Sequence, residues 1–313
     1  MPALICGSLA YDNIMVFEDR FKNHILSDKI HILNVSFLVP TLRREFGGCA
    51  GNIAYNLKLI GGDPLPMGTV GEDFAPYSDW LERQGVPQTH ITVIDDALTA
   101  QAFITTDLDD NQITAFHPGA MESSDQNQVA DAADVTVGII APDGRNGMLA
   151  HADQMKAAEV PFIFDPGQGM PMFDGDDLKG FIDKADWVTV NDYEGELMQE
   201  RTGWSHQEIA EHVRALIVTR GAEGAWIFTD GERIEIPVAK PTAVVDPTGC
   251  GDAFRAGLLY GLMNELDWET TGRIAALLGS IKIAHKGTQN HKFTRTEFAE
   301  LYQAAFATGL NWS

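Results

Sequence analysis

Short hydrophobic runs alternate along the chain with segments whose apolar residues recur at helical spacing. The apolar runs lie at 3–10, 136–142, 161–165, 186–191 and 215–219. Runs of this kind predict strands buried on both faces, as in a parallel sheet. Helical spacing occurs between them, at 126–134, 148–159, 176–185 and 205–215. The alternation predicts a doubly wound α/β architecture.

Two regions depart from this alternation. Residues 14–46 show no clear helical pattern, and the stretch 29–39 within them predicts a strand. Residues 99–117 predict two strands around the polar turn 108–112. We therefore expect one domain over 1–313, with a small β-sheet lid inserted from about 14–46 and 99–120. The alternative is that these strands extend the edge of the main sheet.

Composition and charge narrow the classes of partner. The chain has 313 residues, 44% of them hydrophobic, which is enough for a sizeable core. The net charge of −23 argues against a nucleic-acid partner, because phosphate backbones need a basic face. Since no apolar run approaches the roughly 18 residues of a membrane span, we expect no membrane partner.

The cysteines and the first residues bear on the compartment. Cys6, Cys49 and Cys250 are odd in number, far apart and without metal-ligand spacing. The segment MPALICGSLAYDN has no basic region and no cleavage pattern, so it predicts a first buried strand instead of a signal peptide. Together these features predict a reducing, cytoplasmic compartment.

The segment DPTGCGDAF at 246–254 carries the most specific chemistry. Apolar residues recur every fourth position after it, which predicts a helix that begins near Asp252. Exposed amides at a helix N-terminus bind anions, and a transferring phosphoryl group is such an anion. Asp252 beside that site is placed to accept a proton from an attacking hydroxyl. The alternative is that Asp252 only caps the helix.

Three further segments fit a nucleotide site. Gly47, Gly48 and Asn52 lie where a helix begins, although a tight packing turn would explain them equally. Asn191 and Glu194 follow a strand and are spaced to hold hydrated Mg²⁺, with helix capping by Asn191 as the alternative. The segment 217–228 is typical of a hairpin, but its first strand ends where nucleotides bind parallel sheets. The chain contains neither the P-loop motif nor G-x-G-x-x-G.

These four segments, in this order, resemble the ribokinase-like (PfkB-type) carbohydrate and nucleoside kinases. Their signatures are matched by 246–252 (D-T-x-G-A-G-D), 47–52 (G-G leading to Asn), 191–194 (N-x-x-E) and 219–224 (T-x-G-x-x-G). The resemblance spans residues 3 to about 290. It implies a three-layer α/β/α domain with a mainly parallel sheet and a β-sheet lid. Cys250 in place of Ala and Pro247 before Thr248 are mild departures.

The resemblance also implies a role for each matched residue. Asp252 corresponds to the catalytic base, and Gly249, Cys250 and Gly251 correspond to the anion hole. The residues implied at the sugar are Asp12, Gly48 and Asn52, and those implied at ATP are Asn191, Thr219, Gly221 and Gly224. The residue that corresponds to a ligand of Mg²⁺, through water, is Glu194. Asp246 and Thr248 correspond to residues that hold a monovalent cation such as K⁺ in some members.

The sequences of several segments resemble those of bacterial nucleoside kinases of the adenosine kinase-like branch. These segments are ICGSLAYDNIM, FGGCAGNIAYNL, NQITAFHPGAM, FDPGQG and NDYE. The resemblance implies phosphorylation of the 5′-hydroxyl of a purine nucleoside by ATP. Candidate contacts for a purine are Phe103, Phe116, His117 and Met121, with packing inside the lid as the alternative.

Two other functions remain open on the sequence. One is a sugar kinase of the same family that acts on ribose or fructose. The other is a sensor that binds a nucleoside or sugar without catalysis, which the acidic residues at 194 and 252 disfavour because a sensor does not need them. A homodimer through the lid is expected, since an exposed sheet leaves edges that need cover.

Overall fold

The computed structural model describes residues 2–25, 34–109 and 111–310. The strands are β1 Ala3–Cys6, β2 Ala10–Val16, β3 Thr41–Gly47, β4 Pro64–Val70, β5 His90–Val93, β6 Ala100–Thr106, β7 Gln112–His117, β8 Val137–Ile140, β9 Phe162–Phe164, β10 Trp187–Asn191, β11 Ala215–Thr219, β12 Ala225–Thr229 and β13 Glu232–Ile236. The α-helices are α1 Cys49–Leu59, α2 Ala75–Gln84, α3 Arg145–Ala157, α4 Gly175–Ile182, α5 Asp192–Thr202, α6 His206–His212, α7 Cys250–Met263, α8 Trp268–Ile283 and α9 Arg295–Phe306.

The main sheet has nine strands in the order β13-β12-β11-β10-β9-β8-β1-β4-β5 within the described residues. In this order, all neighbouring strands from β11 to β5 pair in parallel. The strands β12 and β13 extend the sheet beyond β11 with antiparallel pairing. Alternate residues of the central strands enter two separate cores. One core packs against α1, α7, α8 and α9, and the other against α3, α4, α5 and α6. The three-layer α/β/α prediction is confirmed.

A second sheet of four strands stands apart, in the order β3-β2-β6-β7. We call it the small sheet. Its strands come from two separated parts of the chain, β2 with β3 and β6 with β7, so the alternative that these strands extend the main sheet is wrong. The strand β2 pairs antiparallel with β3 and parallel with β6, and β6 pairs antiparallel with β7.

Three local predictions need correction or restriction. The strand expected at 29–39 is absent from its described part, 34–39, and residues 29–33 lie outside the described residues. The strand of this region is β3, which pairs with β2. Its charged sequence, TLRREFG, lacks the apolar pattern from which a strand would be predicted. The helix expected at 126–134 is only a 3-10 turn, Val129–Asp131. The turn expected at 108–112 includes residue 110, which is also outside the described residues.

The predicted elements that surround the expected site are present. The helix α7 begins at Cys250, two residues before the position expected from the apolar spacing. The strands β11 and β12 form the predicted hairpin. None of the helices in the described ranges combines the length and the apolar content needed to cross a bilayer.

Candidate active site

A cavity of about 500 Å³ lies where the carboxyl ends of β10 and β11 meet the N-terminus of α7. Ligands bind open parallel sheets at this edge because loops and helix N-termini converge there. Most residues that the sequence singled out line it, namely Asp12, Gly48, Asn52, Asn191, Glu194, Thr219, Gly221, Thr248, Gly249, Gly251 and Asp252. Segments separated by about two hundred residues in sequence therefore face one space.

The turn into α7 exposes backbone where an anion would bind. Gly249 is the N-cap residue, and no side chain caps the helix there. Its φ of 77° is left-handed, and a Cβ at this position would lie 3.0 Å from Cγ2 of Thr288. Gly249 and Gly251 line the cavity, whereas the Cys250 N–H donates to the Pro247 carbonyl at 3.1 Å. Of the three residues expected in the anion hole, Gly249 and Gly251 are therefore the two that line this cavity.

Asp252 is the third residue of α7, and its carboxylate points across the cleft. Its Oδ2 accepts a hydrogen bond of 2.8 Å from Nδ2 of Asn52 on α1. The Asn52 amide is itself held by Gln289, whose Nε2 donates to Asn52 Oδ1 at 3.0 Å. Asp252 does not cap the helix, so that alternative is wrong. Burial raises the pKa of Asp252 to about 6, the Asn52 hydrogen bond opposes this, and the charge of Asp165 adds to it.

Asp12 of β2 enters the same cavity from the small sheet. It lies beside Gly47, where a Cβ would come within 2.5 Å of Asp12 Oδ2. Burial raises its pKa to about 6, and the nearby carboxylates of Asp252, Asp246 and Glu45 add to the shift. Gly48 has a φ of 83°, and a Cβ there would meet the Ser8 carbonyl oxygen. A side chain at residue 47 would therefore collide with Asp12, and one at residue 48 would collide with the backbone of residues 8–10.

Asn191 and Glu194 form a capping box at the start of α5. The Glu194 N–H donates to Asn191 Oδ1 at 2.7 Å, and the Asn191 N–H donates to Glu194 Oε2 at 2.8 Å. The capping alternative therefore describes Asn191 in this structure. Glu194 does not face solvent, since its side chain is 15% exposed and 3.9 Å from Arg255. Burial raises the pKa of Glu194, and the charge of Arg255 opposes this.

Arg255 and Asp165 are the main site residues that the sequence analysis missed. The guanidinium donates from Nε and Nη2 to the two Asp165 oxygens, both at 2.9 Å. Both residues line the cavity, although their side chains are only 6% and 4% exposed. Burial lowers the pKa of Arg255, but the ion pair with Asp165 raises it overall. The available signal was an arginine inside the otherwise apolar face of α7.

A second cavity of about 450 Å³ adjoins the first and shares Thr219, Gly221 and Gly251 with it. Its walls are almost entirely apolar and include Val238, Ala239, Val244, Phe254 and Ile283. Gly224 and Cys250 also line it. Gly224 has a φ of 85°, which lets the hairpin turn at the cavity mouth. The site therefore has a polar end at Asp252 and an apolar end between the β11–β12 hairpin and α8.

Asp246 lines neither cavity and lies behind the turn. Its Oδ1 accepts from the Thr248 N–H at 3.0 Å, and its Oδ2 accepts from the Gly287 N–H at 2.9 Å. Burial raises its pKa, but these backbone hydrogen bonds lower the pKa overall. Lys282 Nζ donates to the Asp246 carbonyl at 2.7 Å. Asp246 thus links the turn to the chain after α8.

Comparison with known proteins fits this geometry. The model of the pfkB family carbohydrate kinases matches residues 17–295. The chain belongs to this family. It is therefore a phosphotransferase that acts on a hydroxyl group, and its fold is ribokinase-like.

The most informative relatives are nucleoside kinases. The structure of the Burkholderia thailandensis nucleoside kinase in complex with inosine is 52% identical, with a TM-score of 0.90, and the match covers 98% of this chain and 99% of that chain. The ADP-inosine complex of that enzyme matches at 53% identity, with a TM-score of 0.88 and 99% and 98% coverage. A nucleoside kinase of Methanocaldococcus jannaschii is 31% identical over 264 residues, which is 82% of this chain and 85% of the relative.

Proposed function

We propose that this pfkB-family enzyme transfers the γ-phosphoryl group of ATP to the 5′-hydroxyl of a purine nucleoside such as inosine or adenosine. The observation that carries the proposal is the meeting of the polar and the apolar cavity at Gly251, one residue before Asp252. The relatives known as nucleoside kinases, one of them solved with inosine, support the choice of acceptor.

Different residues of the chain have different roles in the phosphoryl transfer. Asp252 accepts the proton of the 5′-hydroxyl as that oxygen bonds to the γ-phosphorus and the bond to the β-phosphate oxygen breaks, releasing ADP. The backbone amides of Gly249 and Gly251, at the positive end of α7, stabilise the charge on the phosphoryl group. Asn52 orients the Asp252 carboxylate through its 2.8 Å hydrogen bond.

We place the ribose at Asp12, Gly48 and Asn52, and the base under the small sheet. Asp12 pairs with Ala102 of β6, and Ala102 pairs with Phe116 of β7, so these three side chains share one face of the sheet. Phe116 is 48% exposed, which does not fit packing inside a lid core. Phe103 lies beside Asn13 and points to the opposite face. Phe116 is therefore the proposed base-stacking residue.

The apolar cavity suits the adenine of ATP. Its lining by Val238, Val244, Phe254 and Ile283 offers apolar contact to a planar ring. The shared residues Thr219 and Gly221 would then lie along the phosphates that extend into the polar cavity. Asn191 of the capping box lies at this polar end and would contact the phosphates through its side-chain amide.

Mg²⁺ is the metal we expect with the nucleotide. Bound Mg²⁺ neutralises charge on the β- and γ-phosphates during transfer. The described residues contain no cluster of three or more acidic, histidine or cysteine ligands. This fits Mg²⁺, which retains several waters and takes one or two carboxylates. Glu194 lines the polar cavity, and we propose that its carboxylate would bind the hydration shell of the ion.

The proposal also includes closure of the site over the nucleoside and the cellular compartment of the protein. We propose that the small sheet acts as a lid that carries Asp12 over the nucleoside and excludes water, which would limit hydrolysis of ATP. All three cysteines are free thiols, which supports a reducing cytoplasmic compartment.

The test is release of ADP from MgATP by the purified protein with inosine, adenosine, ribose or fructose as acceptor. We expect turnover with the nucleosides well above turnover with either sugar, and none with 5′-deoxyadenosine, which lacks the accepting oxygen. Preferred turnover of ribose or fructose would favour the sugar-kinase alternative. Binding of a nucleoside without ADP release would favour the sensor.

The base-stacking assignment has a matched pair of variants. Phe116→Ala is expected to raise the KM for inosine about tenfold, since stacking of a base on an aromatic ring contributes roughly 1–3 kcal/mol. Phe103→Ala removes a ring of similar exposure from the other face of the small sheet and is expected to leave that KM unchanged. Equal KM values for both variants would contradict the assignment of Phe116.

A further inference from the structure

Lys282 of α8 is a completely buried lysine, with 0% of its surface exposed. Its ammonium donates to the Asp246 carbonyl at 2.7 Å and to the His285 carbonyl at 3.3 Å. It also lies 3.9 Å from Oδ1 of Asp246. Burial lowers its pKa, and the charge of Asp246 opposes this. An ammonium without water is unfavourable unless such oxygens surround it, so its environment is specialised.

The position of this ammonium connects it to the anion site. Asp246 begins the turn that ends at Gly249, and the Asp246 carboxylate accepts from the Thr248 and Gly287 amides. The Lys282 ammonium therefore connects the end of α8, which carries it, with the turn through Asp246 and with the segment after α8 through His285. The Cys250 sulfur lies 3.9 Å from the same Asp246 carbonyl, so the charge is close to the N-terminus of α7.

The oxygens around Lys282 Nζ are of the kind that hold a monovalent cation. Two are backbone carbonyls from different segments, and the third belongs to a carboxylate. The resemblance to the family implies a monovalent cation at Asp246 and Thr248 in some members. Here a fixed ammonium already supplies the positive charge on the Asp246 side of the turn. A K⁺ ion at that point would meet a like charge, so these residues do not fit one.

We propose that the ammonium of Lys282 takes the place of a monovalent metal ion behind the anion site, so that phosphoryl transfer is independent of K⁺. Lys282 is a positioning residue: it holds the Asp246–Gly249 turn, and the turn places the Gly249 and Gly251 amides. The inference rests on the proposed kinase activity. Removing the ammonium should leave a small space lined by oxygens, which K⁺ or NH₄⁺ can enter.

The first measurement needs only the unaltered protein. Turnover of inosine with MgATP is compared in K⁺, Na⁺ and choline at equal ionic strength. We expect rates within about a factor of two of one another, because no exchangeable cation contributes. Strong activation by K⁺ over choline would overturn the proposal. Absence of turnover in every salt would instead contradict the proposed function itself, and the two failures are thus distinct.

The second measurement uses Lys282→Met, a neutral side chain of similar length. In choline we expect kcat to fall about tenfold or more, with the KM for inosine nearly unchanged, because a support of the anion site is lost but the nucleoside contacts are not. K⁺ or NH₄⁺ should restore much of that kcat. The control is Lys286→Met, which removes an exposed lysine four residues away and should behave like the unaltered protein.

A third measurement separates a positioning role from a purely structural one. The unfolding temperature of Lys282→Met should rise on replacing choline with K⁺, since the ion would bind the vacated oxygens of the folded state only. The unaltered protein and Lys286→Met should show no such difference. A Lys282→Met protein that folds and keeps full kcat in choline would overturn the proposal, as would a loss of kcat that neither K⁺ nor NH₄⁺ restores.

Discussion

Asp252 is the residue on whose charge the proposed reaction depends. Asp252→Asn keeps the shape of the side chain and its contact with Asn52 but cannot accept a proton. We expect turnover to fall by roughly 10² or more, the usual contribution of a general base. Affinity for ATP should be nearly unchanged, which isothermal titration would establish. Near-normal turnover in this variant would exclude Asp252 as the base.

The same carboxylate sets the pH dependence. Burial raises the pKa of Asp252 to about 6, and only the ionised form can act as the base. We expect kcat at saturating nucleoside to be low below that pH, to rise through it and to level off above it. Asp12, whose pKa burial also raises to about 6, should affect the KM for the nucleoside instead. A kcat that is flat from about pH 5 to 8 would contradict the base assignment.

Arg255 is a second residue whose removal is informative. It lies between the carboxylates of Asp165 and Glu194, close to the base. Arg255→Met should destabilise the fold by about 3–5 kcal/mol, because it leaves a buried carboxylate without its partner. Combining it with Asp165→Asn should recover part of that loss. The midpoints of urea denaturation measure both, and a double variant less stable than Arg255→Met would argue against the pair.

At the scale of elements, close packing of α7 on α8 sets the position of the N-terminus of α7, where we propose the anion site. A Cβ at Gly257 of α7 would overlap the Cα of Ala275 on α8. Gly257→Ala should therefore destabilise the protein by about 1–3 kcal/mol, as overpacking does. Gly180→Ala on α4 is the matched control, since nothing lies within 4 Å of its Cβ.

The control should behave in the opposite sense. Alanine is favoured over glycine in a helix interior by up to about 1 kcal/mol, so Gly180→Ala should be neutral or stabilising. Thermal unfolding of the two variants decides the matter. Equal shifts in both would mean that helix propensity, and not the α7–α8 contact, governs Gly257.

Elements also differ in how well the pattern of the chain predicts them. The buried strands β1, β8, β9, β10 and β11 match the apolar runs closely, because a strand covered on both faces needs no alternation. The strand β4 was not anticipated, since its PLPMGTV sequence contains two prolines. The prolines are tolerated because β5 pairs with β4 only from Met67 onward. Pairing of Pro64–Met67 with β1, and not the strand preference of the local sequence, therefore accounts for β4.

At the scale of the whole molecule, one face of the small sheet exposes several large hydrophobic side chains. Leu42, Phe103 and Ile113 are 66%, 41% and 43% exposed, and the register places all three on the face opposite Asp12. We propose that this face, together with β3 and β7, the outermost strands of the small sheet in the described residues, forms a homodimer interface.

Light scattering after gel filtration tests the dimer. The unaltered protein should have twice the mass of one chain, and Phe103→Lys should convert it to a monomer because a charge would be buried in the interface. Val93→Lys, at a residue of β5 that is 55% exposed and outside the small sheet, should remain a dimer. A monomer mass for the unaltered protein would remove the proposal.

Local periodicity and motifs of a few residues were enough to predict the α/β class, most strands and helices of the main domain, and the order of the glycine-rich and acidic segments. Which distant groups meet depends on the three-dimensional packing. Asn52 holds Asp252 across 200 residues, Asp165 pairs with Arg255 across 90, and Lys282 reaches Asp246 across 36. Such contacts are set by the packing of whole elements, which no local pattern specifies.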